Sequence, residues 1–274
     1  MEENIITSVQ NARIKHVVAL QQKSSLRREE GLFVVEGQRE IEHCKACGYE
    51  IKETFIVDSG QLTVDSGGKK PVVVSPQVYE KMAYRGSTEG IIAVVKCKEH
   101  QLTILGRAKR QSRADNAQFT IKDNPLVVVL EGVEKPGNLG AILRTAEAAG
   151  VDAVIVCDPL TDLYNPNLIR ASIGGVFSVP VAVSTSKACI AFLKEHQIRI
   201  LTAQLQDSYD YYDYDMKGAT AIVMGTESTG LTDTWRRAAD AHIRIPMLGR
   251  LDSLNVSVSA AILLFEAVRQ RCEK

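Results

Sequence analysis

The chain has 274 residues, of which 45% are hydrophobic and 24% charged, so it can bury a sizeable core without disulfide or metal cross-links. Its 33 basic residues balance 33 acidic ones, which excludes a uniformly basic nucleic-acid binder and confines any RNA-binding face to a local patch. Residues 1–10 lack the features of a signal peptide and no apolar run reaches membrane-spanning length, so we expect a soluble, cytoplasmic protein without membrane contact.

The first hundred residues have the pattern of a small α/β domain. Helices are predicted over residues 7–22, 36–47 and 75–83, and strands over residues 32–36, 51–57, 71–74 and 91–95. Ser75 and Pro76 form a typical helix start. We predict a domain over residues 1–100, then a linker over 101–124 whose basic residues 107–113 are either solvated or contact phosphate.

Residues 125–274 alternate strands with helices, which predicts a second α/β domain with a parallel sheet and helices on both faces. Strands are predicted over residues 126–130, 153–157, 198–203, 220–224 and 242–245. Helices are predicted over residues 138–149, 165–172, 186–196, 232–239 and 255–271, with Asn138 as an N-cap. The acidic, tyrosine-rich segment 207–215 is either a loop or an edge strand protected by charge.

Three loops rich in glycine and small polar residues follow predicted strands, over residues 131–140, 225–230 and 245–259. Ligands of open α/β sheets bind at the carboxyl ends of the strands, so these loops form the candidate site. The first loop reads Glu-Gly-Val-Glu-Lys-Pro-Gly-Asn-Leu-Gly, which does not match the G-x-G-x-x-G fingerprint of dinucleotide-dependent enzymes. The second loop, Gly-Thr-Glu-Ser-Thr-Gly, is by itself explained equally well by turn formation.

Taken in order, the three loops resemble the motifs of the SpoU/TrmH family of RNA 2′-O-ribose methyltransferases, within the SPOUT class. Asn165-Pro166 and the residues at 170–175 and 179–181 support the resemblance, which spans about residues 126–271. Arg27-Arg28 followed by residues 31–37 also looks like the substrate-binding domain of the family.

The resemblance implies an α/β domain tied in a deep trefoil knot, a homodimer with the site near its interface, and S-adenosylmethionine as cofactor. By motif position, the expected cofactor contacts are Gly225, Ile245, Met247, Leu254, Ser257 and Val258. The helix after Asn138 and the last helix are expected to pack across the two-fold axis.

The resemblance also carries over a catalytic set, namely Asn138, Arg144, Glu227, Ser253 and Asn255. In the family that the chain resembles, the arginine at the position of Arg144 is proposed to act as a general base. An arginine side chain is, however, effectively always protonated. Our hypothesis is that Arg144 stabilises the alkoxide forming on the ribose and fixes a phosphate. Asn138 would then orient Arg144 or the ribose, and Glu227 would hold the guanidinium.

The resemblance implies that the N-terminal domain selects the RNA, with ribosomal RNA expected first and transfer RNA as the alternative. The candidate phosphate contacts are Arg13, Lys15, Lys23, Arg27 and Arg28. A non-catalytic RNA- or ribosome-binding protein on the same fold is the alternative of a different class. Cys44 and Cys47, beside His43, lack a second ligand pair, so we interpret them as packing residues and expect no metal site.

Overall fold

The computed structural model describes residues 5–57, 70–84, 89–105, 123–226 and 228–272. The chain divides into two compact units, which are Met1–Glu99 with Asp162–Phe177, and His100–Thr161 with Ser178–Lys274. In the described ranges, no helix has the length and apolar character needed to cross a membrane. The basic residues at 107–113 lie outside the described residues.

The first unit is built on a four-stranded sheet in the order β1-β4-β2-β3. Its elements are α1 (Ala12–Gln22), α2 (Ser24–Glu30), β1 (Leu32–Glu36), α3 (Gln38–Ala46), β2 (Ile51–Val57), β3 (Val72–Val74), α4 (Pro76–Met82) and β4 (Ile91–Lys96). Strand β4 is antiparallel to both β1 and β2, whereas β2 and β3 are parallel. Ser75 caps α4 through a bond from the backbone N–H of Val78, as predicted.

The predicted first helix, residues 7–22, begins only at Ala12, because the side chain of Asn11 caps it. The segment 162–177 was expected in the second domain but groups with the first unit. Arg27 Nε donates to Asp162 Oδ2 over 2.6 Å, and the rings of Phe33 and Tyr164 stack with centroids 4.1 Å apart. These contacts join residues more than 130 positions apart, which local spacing does not reveal.

The second unit contains a seven-stranded sheet in the order β7-β6-β5-β10-β8-β11-β9, and all of its strand pairs are parallel. The remaining elements of the chain are β5 (Leu126–Glu131), α5 (Pro136–Ala148), β6 (Ala153–Cys157), α6 (Pro166–Ala171), α7 (Gly175–Ser178), β7 (Val181–Ser184), α8 (Ser186–Glu195), β8 (Arg199–Ala203), β9 (Tyr209–Asp210), β10 (Thr220–Met224), α9 (Asp233–Ala238), β11 (Ala241–Arg244) and α10 (Val256–Cys272). Of these, α6 and most of α7 lie in the segment 162–177, which belongs to the first unit. The predicted α/β fold with a parallel sheet is therefore confirmed.

Strands β5 and β10 lie side by side near the middle of this sheet, and every residue of both is buried. Continuous Val, Ile and Leu suit a parallel strand that is covered on both faces. Helix α10 packs against α5 and β10, which fixes the position of the loop just before it. The acidic segment contributes β9 at the sheet edge, so the edge-strand interpretation is correct for Tyr209 and Asp210.

Candidate functional site

The three candidate loops follow β5, β10 and β11, which run parallel in one sheet. The carboxyl ends of parallel strands lie at the same sheet edge, so the loops converge there. The first and second loops touch, because a Cβ added at Gly132 would lie 3.1 Å from Cγ2 of Thr226. Residues far apart in the chain thus form one surface.

A cavity of about 370 Å³ opens between the second and third loops and the end of β8. Five of the predicted site residues line it, namely Gly225, Ile245, Met247, Ser253 and Leu254. The wall is completed by residues 203–206, at the end of β8 and just after it, and by residues of α9 and α10. Its volume lies within the range usual for small-molecule sites.

Position 225 requires glycine because there is no room for a side chain, and not because of its backbone conformation. A Cβ at this position would lie 2.3 Å from the carbonyl carbon and oxygen of Gly230 and 2.6 Å from the backbone nitrogen of Leu231. These are backbone atoms, which cannot rotate away as a side chain can. The second loop therefore folds back on itself, held by Gly230 N donating to Thr226 O over 3.1 Å.

A second cavity of about 260 Å³ adjoins the first and shares Gly225, Thr226, Ser228 and Val256 with it. Asn138 lines this smaller cavity. The site therefore offers two connected compartments, one behind the second loop and one beside the start of α5.

Two predicted catalytic amides meet at this junction. Asn255 Nδ2 donates to Asn138 Oδ1 over 3.2 Å, a bond between residues 117 positions apart. Asn255 Oδ1 accepts from the backbone nitrogen of Ser257 at 2.9 Å and from its Oγ at 2.6 Å. Asn255 therefore caps α10 and also links the third loop to the first, so its cap role and its site role are compatible.

The prediction that Asn138 caps α5 is wrong. The helix starts two residues earlier, with Lys135 at the N-cap position and Pro136 in the first turn. Proline suits this position because its fixed φ fits a helix and its missing N–H has no partner there in any case. The amide of Asn138 is therefore directed to Asn255 instead of to the helix end.

Of the predicted residues that the structure describes, five do not line the larger cavity, namely Asn138 and Asn255, described above, and Arg144, Ser257 and Val258. Arg144 is exposed on α5 and lines neither compartment. Ser257 and Val258 also lie outside the lining, because Ser257 is bonded to Asn255 and the side chain of Val258 is 47% exposed. Glu227 lies outside the described residues.

A carboxylate that the sequence did not single out binds the chain just after the second loop. Glu131 is 7% exposed, and its oxygens accept from the backbone nitrogen of Thr232 at 2.8 Å and from Thr232 Oγ1 at 2.8 Å. Ser186 Oγ donates to it at 3.1 Å and accepts from Trp235 Nε1 at 3.0 Å. Glu131 thus connects the end of β5 to Thr232, the residue just before α9.

Two lining residues of the larger cavity also escaped prediction. The Oε1 atom of Gln204 and the Nε atom of Arg236 are buried, and neither has a hydrogen-bond partner in the part of the chain that the structure describes. No motif spacing marks them, because Gln204 directly follows β8, Arg236 lies on α9, and only the fold of the sheet brings them to the same cavity.

The candidate RNA contacts of the first unit lie on α1 and α2 and the residue between them. The prediction that Arg27 contacts phosphate is wrong. Its side chain is only 3% exposed, and its guanidinium donates hydrogen bonds to Asp162 and to two backbone carbonyl oxygens. Arg13 is exposed and pairs with Glu53. The other three basic residues, Lys15, Lys23 and Arg28, are exposed.

Of the two cysteines near the end of α3, Cys44 packs in the core, and Cys47 directly follows the helix and is half-buried. Cys44 is fully buried, and burial raises the pKa of its thiol to about 12. Cys47 Sγ lies 3.9 Å from His43 Nε2. Within the described ranges, no group of three or more His, Cys, Asp or Glu residues is arranged to hold a metal ion.

Comparison with known proteins matches both parts of the chain to family models. The SpoU rRNA Methylase family matches residues 125–265, and the MRM3-like substrate binding domain matches residues 11–93. These matches cover the second-domain loops and most of the first unit.

Similarity over two thirds of the chain or more extends to curated relatives and solved structures. The 23S rRNA (guanosine(2553)-2′-O)-methyltransferase RlmP of Bacillus subtilis is 26% identical over 95% of this chain and 97% of its own length. The 23S rRNA (guanosine-2′-O-)-methyltransferase RlmB of Vibrio vulnificus is 38% identical over 69% of this chain and 73% of its own. An AdoMet-bound rRNA methyltransferase from Sinorhizobium meliloti superposes with a TM-score of 0.85 at 27% identity, covering 98% of this chain and 99% of that one.

Proposed function

Because the chain belongs to the SpoU family of rRNA methylases, we propose that it transfers a methyl group from S-adenosylmethionine to a ribose 2′-hydroxyl of ribosomal RNA. The observation that carries the proposal is the convergence of Gly225, Ile245 and Leu254 around one cavity of about 370 Å³. The names of the relatives from Bacillus subtilis and Vibrio vulnificus favour 23S ribosomal RNA over transfer RNA. A ribosomal substrate agrees with the expected cytoplasmic location.

The residues present fit this cofactor. Ile245, Leu254 and Met247 supply apolar wall for an adenine ring, while the loops offer backbone groups at the rim. Gln204 and Arg236 also line the cavity and add an amide and a guanidinium group to its wall, which suits a ligand with polar and charged groups.

When bound, S-adenosylmethionine supplies a methyl group already activated by its positively charged sulfur. The protein must align the ribose oxygen with that methyl group and stabilise the negative charge that develops on the oxygen. The smaller cavity beside Asn138 adjoins the larger one and is the proposed place for the ribose. The Asn138–Asn255 bond would set the orientation of the two amides that meet the sugar.

The proposed role of Arg144 requires a second copy of the chain. Arg144 lies six residues after Asn138 on α5, about 9 Å further along the helix axis, and it does not line the cavity of its own chain. We infer that each chain supplies Arg144 to the cavity of its partner, where the guanidinium stabilises the forming alkoxide. This arrangement is the homodimer with a site near its interface that the family resemblance implies.

The proposed contact surface of the homodimer is formed by exposed apolar residues near the cavity. On α10, Val258 is 47% and Phe265 is 49% exposed, and their spacing of seven places them on the same helix face. Leu254, just before the helix, is 39% exposed. Large apolar side chains exposed together are typical of an interaction surface.

Complementation between inactive variants tests the two-copy site. Arg144→Ala keeps its own cavity but lacks the arginine, whereas Gly225→Val keeps the arginine but blocks its cavity. Mixed dimers should regain methyl transfer, because the intact cavity of one chain receives Arg144 from the other. If Arg144 acts within its own chain, no mixed dimer contains a complete site and the mixture stays inactive.

In the first unit, Arg13, Lys15, Lys23 and Arg28 are the proposed phosphate contacts. Neutralising one of them should weaken RNA binding with little dependence on sequence and reduce its salt dependence.

Calorimetry separates the proposed enzyme from its alternatives. The wild-type chain should bind S-adenosylmethionine at one molecule per chain and show no binding of NAD. A non-catalytic RNA-binding protein would bind neither cofactor, and a dinucleotide-dependent enzyme would show the reverse preference.

A further inference from the structure

Glu131 is a buried carboxylate to which the proposed reaction gives no role, since it lines neither cavity. Its Oε2 accepts from the backbone nitrogen of Thr232, and its Oε1 accepts from Thr232 Oγ1, both over 2.8 Å. Removal of a carboxylate from water costs free energy, which such donors offset. Both bonds end on Thr232, so the feature that Glu131 contacts is the end of the second loop, residues 225–230.

The second loop begins and ends at points that both lie against β5. It begins after Met224, which pairs with Leu130 in the parallel register of β10 and β5. Just beyond its end lies Thr232, which binds the side chain of Glu131, the residue that follows Leu130. Backbone pairing of the strands fixes the first point. The hydrogen bonds that join the second point to β5 come from a single side chain.

Between these two points, the second loop is bonded to itself. The backbone nitrogen of Thr229 donates to Thr226 Oγ1 over 3.0 Å, and that of Gly230 donates to Thr226 O over 3.1 Å. The hydroxyl oxygens of Thr226 and Thr229 lie 2.7 Å apart. Residues of this loop line both cavities. A short loop that is bonded internally passes a displacement at its end on to the cavity wall.

Buried groups hold the carboxylate of Glu131 in turn. Ser186 Oγ lies 3.1 Å from Glu131 Oε1 and 2.7 Å from Asp158 Oδ2, and it accepts from Trp235 Nε1 over 3.0 Å. Ser186 is 8% exposed and Trp235 is fully buried. A serine hydroxyl carries one proton, so it donates to one of the two carboxylates at a time. Glu131 keeps both bonds to Thr232 in either case.

We propose that Glu131 is a positioning residue that holds the second loop in the arrangement that admits S-adenosylmethionine to the larger cavity. The inference rests on the proposed function, and Glu131 acts on cofactor binding through Thr232 without touching the cofactor. If the loop has the binding arrangement in only a fraction of molecules, the apparent dissociation constant rises by the inverse of that fraction. The hydrogen bonds of Glu131 keep this fraction high, and their removal lowers it.

Two substitutions separate the hydrogen bonds of Glu131 from its charge. Glu131→Met keeps a similar length without a strong acceptor and should weaken S-adenosylhomocysteine by about 5- to 30-fold in calorimetry. Glu131→Gln should stay within about 3-fold of wild type, because its oxygen accepts from Thr232 N and its amide donates to the hydroxyls of Thr232 and Ser186. Equal losses in both variants would assign the effect to charge and overturn the proposal.

A milder pair of variants at Thr232 decides the proposal if Glu131→Met does not fold. The side chain of Thr232 is exposed, and it lines neither cavity. Thr232→Val removes the hydroxyl donor and should weaken S-adenosylhomocysteine by about 2- to 5-fold, whereas Thr232→Ser keeps it and should bind like wild type. Equal affinity of these two variants would contradict a positioning role.

Thr220→Val is the control for a general loss of stability. Thr220 is fully buried at the opposite end of β10, where its Oγ1 donates to Gly218 O over 2.9 Å. This variant should unfold at a lower temperature and bind S-adenosylhomocysteine like wild type. A loss of affinity as large as that of Glu131→Met, or no loss in Glu131→Met, would overturn the proposal. Failure of the wild-type chain to bind this ligand would instead refute the proposed function.

Discussion

The absence of a side chain at Gly225 is the structural feature of the cavity that a single substitution tests most sharply. In Gly225→Ala, the new Cβ would lie 2.3 Å from the carbonyl atoms of Gly230 and 2.6 Å from the nitrogen of Leu231. Ordinary contact requires about 3.4 Å or more, so the loop over residues 225–230 must move by about 1 Å. That loop forms part of the wall of both cavities.

Overpacking of this kind costs about 1–3 kcal/mol, and displacement of the loop should transfer much of that cost to cofactor binding. We therefore expect Gly225→Ala to weaken S-adenosylhomocysteine by about 5- to 150-fold in calorimetry. Gly249→Ala is the matched control, because Gly249 lies in the third loop and a Cβ there would meet no atom within 4 Å. It should bind the ligand like wild type.

The reasoning fails if Gly225→Ala binds S-adenosylhomocysteine with wild-type affinity. It also fails if Gly249→Ala loses as much affinity, because the effect would then reflect any added methyl group near the site. Thermal unfolding without ligand provides a check that each variant is folded before its affinity is compared.

Three further predictions concern side chains outside the cavity. Glu131→Ala should lower the free energy of unfolding by about 2–4 kcal/mol in a urea titration, because it removes the acceptor of Thr232; an unchanged midpoint would contradict this. Arg27→Met should leave RNA affinity at its wild-type value but lower stability, since its partner Asp162 loses a buried pair; weaker RNA binding by a stable variant would contradict it. Burial raises the pKa of Glu36 in the folded protein above its ordinary value of 4.5. The free energy of unfolding of the wild type should therefore fall relative to that of Glu36→Gln as pH rises from the unfolded-state pKa to the folded-state pKa. A difference between the two proteins that stays constant from pH 4 to pH 7 would contradict this.

Most of the sheet was predictable from the sequence because its central strands are continuous apolar runs. The buried strands over residues 126–131 and 220–224 have almost the predicted limits. The last helix starts at Val256, one residue after the predicted start. Such segments carry their own signal, since a strand covered on both faces needs apolar side chains at every position.

Features that depend on long-range contacts were not predictable. Asn138 has the sequence features of a helix cap, but its partner lies 117 residues away and Pro136 starts the helix earlier. Arg27 has the sequence pattern of a surface charge, but its side chain is buried in the first unit, where it forms an ion pair with Asp162. In each case, a contact between residues distant in sequence decides the role of a side chain whose local pattern suggested another.

The sequence predicted the loops that form the cavity, but not every side chain that lines it. Five predicted residues line it because family motifs mark the loops that follow β10 and β11. Gln204 and Arg236 were missed because nothing in their spacing distinguishes them from ordinary polar residues. Their unpaired buried atoms become visible only once the strands and helices are assembled.

The most direct measurement is methyl transfer from labelled S-adenosylmethionine to unmodified 23S ribosomal RNA, followed by digestion and mass spectrometry of the nucleosides. We predict label on a ribose 2′-oxygen with the wild-type chain and its loss with Arg144→Ala. Label on a base, label found only on transfer RNA, or no transfer to any RNA by a chain that binds the cofactor would contradict the proposed function.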